Sequence, residues 1–216
     1  MQQKGQDNES QQKIWEEIAE KWHLFKKKPV LITEEKAKEW KPGKIIDIGC
    51  GNCRNLLPFA KAGFDCYGVD FSKKMVDFAK SYLKQNKLKA TVIAEKAEKL
   101  PYKDESFDYC LMLKVLPCID SAEKRNTALD EMMRVLKKHG KAIITIWNKR
   151  NFKYFLSKKE VLVPFRIKNK EEKVVMRYYY LYAPAEIQKV LKEKGFTILS
   201  SSNPFMQEYY IIVQKD

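Results

Sequence analysis

The chain has 216 residues, of which 44% are hydrophobic, and 42 Lys and Arg against 28 Asp and Glu give it a formal net charge of +14 at pH 7. This length and apolar content exclude a disordered or fibrous protein and suffice for one domain with a sizeable core; no apolar run approaches the ~20 residues of a membrane span, and the polar N-terminus does not read as a signal peptide, so a cytoplasmic protein is expected. The positive excess favours a polyanionic partner, nucleic acid above all, although lysines scattered over nearly every helix also suit an ordinary solvated surface.

In chain order, residues 1–12 are polar and predict a flexible tail, followed by a single domain over 13–216. Ile14, Trp15, Ile18, Ala19 and Trp22 recur at helical spacing, predicting an amphipathic helix across a sheet that stops near Lys28-Pro29. A second helix over about Glu34 to Trp40 precedes a buried strand, Lys44 to Ile48, the turn Gly49-Cys50-Gly51-Asn52, and a helix from Arg54 to Ala62. Next come a strand ending Cys66-Tyr67-Gly68-Val69-Asp70, a helix capped by Ser72 and running to about Gln85, and strands over Ala90 to Ala94 and Phe107 to Leu113. A helix over Ser121 to Lys138 leads to a strand at Ala142 to Trp147. Residues 148–182 read as an insertion beside the site, aperiodic to Lys173 and alternating at Arg177-Tyr178-Tyr179-Tyr180-Leu181-Tyr182. Pro184 and Gly195 frame a last helix, and strands near Phe196 to Ser200 and Tyr209 to Val213 close the sheet.

Chemistry concentrates at the first strand, turn and helix. Gly49 and Gly51 carry no Cβ, so a ligand can approach the main chain, and the N–H groups opening the next helix face it. Asp70 ends the second strand at the distance where an acid receives ribose hydroxyls. No third glycine follows to cradle a pyrophosphate, which favours an adenosyl ligand without phosphates over NAD or FAD. Five cysteines are an odd number, with Cys50, Cys66 and Cys110 in apolar segments, suggesting reduced thiols; the Cys50-x-x-Cys53 spacing has no second pair and reads as incidental.

Asp47-Ile-Gly-Cys-Gly-Asn52, Gly68-Val-Asp-Phe-Ser72, Leu100-Pro101, Ser106-Phe-Asp108 and Arg134 to Gly140 resemble the ordered motifs of class I S-adenosylmethionine-dependent methyltransferases. Glu17-Ile18-Ala19, Lys28-Pro29, Leu162 to Phe165, Arg177 to Tyr182 and Val213-Gln214-Lys215 are similar to the wobble-uridine tRNA carboxymethyl methyltransferases, which esterify 5-carboxymethyluridine. The resemblance implies a Rossmann-like α/β fold, a seven-stranded and mostly parallel sheet with its last strand antiparallel, and helices on both faces. It implies S-adenosylmethionine held by Asp47, Gly49, Cys50, Gly51, Asn52, Asp70, Phe71, Ala97, Glu98 and Leu113. Arg177 and Tyr178 are expected to position the acceptor, with Lys26, Lys28, Tyr180 and Tyr182 contacting substrate. A tRNA partner and a small zinc-binding activator subunit are implied as well, with no metal in this chain and no membrane.

The sequence departs from the pattern at Lys96, which cannot accept a hydrogen bond from the adenine amine, and at Pro117 and Cys118, where the wobble-uridine family has two histidines. Of the available histidines, His23 is expected on the surface and His139 far from the site. A hydroxyl or ammonium acceptor needs a base, whereas a carboxylate with a pKa of ~4 is already ionised at pH 7 and needs only positioning. Two alternatives stay open: a small-molecule O- or N-methyltransferase, and a catalytically impaired RNA-binding scaffold on the same fold.

Overall fold

The computed structural model describes residues 8–168 and 172–216. Its strands are β1 (Lys44–Ile48), β2 (Asp65–Asp70), β3 (Thr91–Ala94), β4 (Phe107–Leu113), β5 (Leu136–Trp147), β6 (Glu160–Lys168), β7 (Glu172–Tyr180), β8 (Phe196–Ser201) and β9 (Glu208–Lys215). The helices are α1 (Asn8–Phe25), α2 (Leu31–Glu39), α3 (Leu57–Lys61), α4 (Lys73–Gln85), α5 (Ala122–Val135) and α6 (Pro184–Glu193).

Seven strands form one sheet in the order β3-β2-β1-β4-β5-β9-β8. The first five pair in parallel, and β9 runs antiparallel to both β5 and β8. Strand side chains alternate between faces, and in the central strands β1, β4 and β5 both faces are covered, so their buried stretches are mainly apolar. Ile46, Ile48, Met112 and Ile144 pack against Leu129 and Met132 of α5 and Ile187 and Leu191 of α6. Ile45, Leu111 and Ile143 meet Ile32 of α2, Phe59 of α3 and Val76, Ala79 and Leu83 of α4 on the other face. The chain winds outward from β1 to β3 and returns beside β1 as β4, which opens a crevice at the C-terminal ends of these strands.

Four local expectations are corrected. Helix α1 already starts at Asn8, so 8–12 belong to it, and it packs on α4 and the β6–β7 hairpin rather than across the sheet; the rest of the expected tail lies outside the described residues. Arg54–Leu56 is a 3₁₀ turn and α3 begins only at Leu57, because Pro58 lacks the N–H that would continue one helix. Helix α5 stops at Val135, and β5 takes up Leu136, which pairs with Phe107 ahead of the left-handed turn at His139 (φ +61°). The supposedly aperiodic stretch contains β6, paired antiparallel to β7 with Val163 opposite Arg177 and Pro164 opposite Met176. Pro164 is exposed, where a ribbon edge tolerates a missing donor.

Candidate active site

The sheet's C-terminal edge carries a cavity of about 330 Å³, lined by the loops after β1, β2, β3 and β4, the end of β5, the start of β9, and α1. Its floor is the glycine turn. Gly49 N–H and Cys50 N–H donate to Val69 O at 2.7 and 2.9 Å, while Gly51 N–H donates to Asp70 Oδ2 at 2.8 Å. Asp70 Oδ1 accepts from Ser72 N–H at 2.9 Å, and the Ser72 hydroxyl accepts from Met75 N–H, capping α4. One carboxylate thus holds the turn and the entry to α4 in register. Burial pushes Asp70 up to about 6, with the two N–H donors pulling against it.

Gly49 and Gly51 serve different ends, although both have positive φ. A Cβ on Gly49 would stand 2.3 Å from Val115 Cγ2, so that glycine is required by packing. A Cβ on Gly51 would meet nothing within 4 Å, so that glycine faces the open cradle. Asn52 anchors the turn to α1's end: its Nδ2 donates to Lys26 O at 2.8 Å and lies 3.2 Å from His23 Nδ1. His23, half-buried at the end of α1, is stacked on Phe78 with ring centroids 4.8 Å apart, and burial, then the charge of Lys27, holds its pKa below the ordinary value.

The other half of the cavity is aromatic and cationic. Trp15 and Trp22 from α1 and Trp147 and Tyr179 from β5 and β7 line it, together with Lys26, Arg54, Lys114, Cys118 and Glu208. Trp147 stacks on Tyr179 at 4.7 Å, and Trp15 meets Trp22 edge-on at 5.1 Å. Burial, followed by the charges of Lys114 and Arg54, pulls the Lys26 pKa down, and Glu208 only partly offsets this. Glu208 is itself ion-paired with Lys114, whose backbone is held at φ +63°. Burial raises the Cys118 thiol to about 12 and its Sγ donates to Lys114 O, so it is neither thiolate nor base at neutral pH.

All the expected cofactor residues except Asp47 line the cavity. Asp47 lies beneath the turn, 1% exposed, with neither carboxyl oxygen hydrogen-bonded; burial drives its pKa well up, and Arg54 opposes this. Lys96 lines the cavity beside Glu95, which the sequence reading passed over. Pro117 is buried in the turn after β4 but is not among the lining residues.

The acceptor residues divide. Lys26 lines the cavity; Lys28 does not. Arg177 sits just behind the wall, 6% exposed, its guanidinium 5.0 to 6.0 Å from the rings of Trp15, Trp22, Phe165 and Tyr179. Its Nη1 donates to the Tyr179 hydroxyl at 3.0 Å, and its Nε has no hydrogen-bond partner. Alternation along β7 puts Tyr178 and Tyr180 on the opposite face, where Arg125 donates to the Tyr178 hydroxyl and stands 4.0 Å over the Tyr180 ring. Tyr182 packs against Tyr180 there. Tyr178, Tyr180 and Tyr182 are therefore outside the cavity wall, and Tyr179 takes the place expected of Tyr178. Period two along Arg177 to Tyr180 carried that signal; Trp22, Trp147 and Glu208 gave none, since their convergence depends on the fold.

Among known proteins, residues 46–144 match the family model described as a methyltransferase domain. An uncharacterized protein from Methanocaldococcus jannaschii, MJ1123, is 33% identical over 166 residues, spanning 77% of this chain and 70% of that one. The tRNA (carboxymethyluridine(34)-5-O)-methyltransferase of Schizosaccharomyces pombe is 24% identical over 97% of this chain and 98% of its own. A solved S-adenosylmethionine-dependent methyltransferase from Clostridium acetobutylicum superposes with a TM-score of 0.71 at 15% identity, covering 94% of this chain and 96% of that one. Residues 46–144 thus carry a methyltransferase domain, and the fold is that of the S-adenosylmethionine-dependent methyltransferases, whose cofactor is S-adenosylmethionine.

The residues present suit that cofactor. The open space over Gly51 admits a ligand against the main chain, and Asp70 keeps lone pairs for ribose hydroxyls. When bound, S-adenosylmethionine supplies an electrophilic sulfonium methyl. The protein's own part is to orient, to exclude water with the tryptophan-lined wall, and to fix an acceptor at that methyl.

Proposed function

We propose that this methyltransferase acts on tRNA and esterifies the carboxymethyl group of a modified wobble uridine. The observation that carries the reading is the cationic, base-free acceptor half of the cavity. Lys26, Arg54 and Lys114 all line that half, with Glu208 as its one carboxylate among the described residues; burial, and after it the charges of Lys114 and Arg54, lower the Lys26 pKa. An anionic acceptor relieves this repulsion, and its attack needs no proton removed. A hydroxyl or ammonium acceptor would gain neither advantage, because Cys118 stays protonated and Glu208 is engaged by Lys114. Trp15, Trp22, Trp147 and Tyr179 offer faces on which an extruded base stacks. Support also comes from the Schizosaccharomyces pombe enzyme, whose similarity runs along nearly the whole chain.

Arg177 then acts behind the wall, its charge stacked among rings and its Nη1 orienting the Tyr179 hydroxyl. Tyr178, Tyr180 and Tyr182 support the hairpin from its other face. The reading includes the small zinc-binding activator subunit that the resemblance implies. Its test is nucleoside analysis of bulk tRNA after reaction with S-adenosylmethionine: 5-carboxymethyluridine should be converted to its methyl ester by the wild type and not by Asp70→Ala. A methyl group on a base nitrogen or ribose oxygen would overturn the carboxylate assignment.

A further inference from the structure

Beside the cavity's acceptor end lies a surface that the reaction itself does not use. After β5 the chain from Lys149 to Lys159 holds five cations and no acid. Its fold is fixed internally. The Lys149 ammonium donates to Tyr154 O and Phe155 O at 2.9 and 2.7 Å, and Tyr154 tucks against Trp147 of the cavity wall at 5.6 Å. Phe152, Phe155 and Leu156 are left 98%, 66% and 94% exposed. The buried Asn148 side chain ties a second loop to the first, donating to Pro204 O at 2.7 Å and Met206 O at 2.8 Å, and that loop presents Phe205, 69% exposed. Gln207 and Glu208, which follow, line the cavity.

We infer that these two loops form a docking strip for single-stranded RNA flanking the nucleotide that enters the cavity. The inference deepens the tRNA reading and rests on it. Exposed rings cost free energy unless covered, and their spacing by Arg150, Lys153 and Lys158, all exposed, suits bases stacking on rings while phosphates meet cations. A protein partner fits less well, because the apolar centre of a protein interface is depleted of lysine. The ordered main chain means the rings are presented before RNA arrives.

The test uses the full-length protein and a short fluorescein-labelled single-stranded RNA, read by anisotropy at two salt concentrations. Phe152→Ala with Phe155→Ala should weaken RNA binding on the order of tenfold, leaving S-adenosylhomocysteine affinity by calorimetry at the wild-type value. Arg150→Glu with Lys153→Glu should weaken it further and flatten its salt dependence. Unchanged RNA affinity in both variants overturns the inference, as does a change confined to the oligomeric state by sedimentation. RNA binding that depends on the strip in a protein that forms no ester on tRNA would retain the strip and remove the proposed reaction.

Discussion

Replacing Gly49 and Gly51 separately by alanine should divide the glycine turn into a structural and a ligand-binding half. Both residues have positive φ, which costs an L-residue about 1–2 kcal/mol. At Gly49 the new methyl also falls 2.3 Å from Val115 Cγ2 in a packed region, and overpacking adds about 1–3 kcal/mol. Gly49→Ala should therefore lose roughly 2–5 kcal/mol of stability, or roughly 4–20 °C in Tm for a chain of this size. At Gly51 nothing lies within 4 Å, so stability should fall only by the conformational cost of about 1–2 kcal/mol. Its methyl instead occupies ligand space, weakening S-adenosylhomocysteine by about 1–3 kcal/mol, or roughly 5- to 150-fold. Denaturant unfolding and calorimetric titration of each variant read the two effects. A Gly51→Ala protein with wild-type affinity, or a Gly49→Ala protein with wild-type stability, would refute the assignment of the cradle.

S-Adenosylhomocysteine affinity should fall as pH drops through about 6, because Asp70 then takes up a proton and its charge-assisted acceptor is lost; calorimetry across pH 5 to 7 checks this. The same raised pKa means that Asp70's ionisation costs stability as pH rises from 3.8 towards 6, so wild-type stability should fall over that window while Asp70→Asn, which also loses an acceptor for Gly51 or Ser72 N–H at every pH, shows no such fall. Arg134 hydrogen-bonds Glu131, Asp104 and the carbonyls of Leu100 and Tyr102; Arg134→Met should cost roughly 2–3 kcal/mol by urea unfolding. Its bond to Glu131 lowers that carboxyl's pKa, so the lost stability is present above 4.5 and disappears in wild type as pH falls through the depressed value. Arg177→Lys keeps the charge but loses planar contact with four rings, and kcat/KM for tRNA should fall roughly tenfold or more while S-adenosylhomocysteine affinity holds.

The cofactor half was legible in the sequence because it is local. Gly49, Gly51 and Asp70 lie on consecutive strand ends, and the hydrophobic period that placed β1 and β2 also placed them. The acceptor half was not, because it gathers α1, the turn after β4, the end of β5 and the hairpin, whose approach no local pattern encodes. Alternation puts Tyr178 and Tyr179 on opposite faces, and the place that the family resemblance implies for Tyr178 goes to Tyr179. The β6 strand lies in a stretch whose Lys, Phe and Tyr show no strong period, and its Pro164 is tolerated on an exposed two-stranded ribbon. The apolar stripe of α1 suits a sheet face, but Ile18 packs instead with Ile167 and Val175 of the hairpin.

The central claim, ester formation on a tRNA carboxylate, is tested most directly by the base-lability of the transferred methyl. With S-adenosylmethionine carrying a labelled methyl and bulk tRNA as acceptor, the label should enter tRNA and leave as methanol under mild alkali. Label that survives alkali would contradict the account.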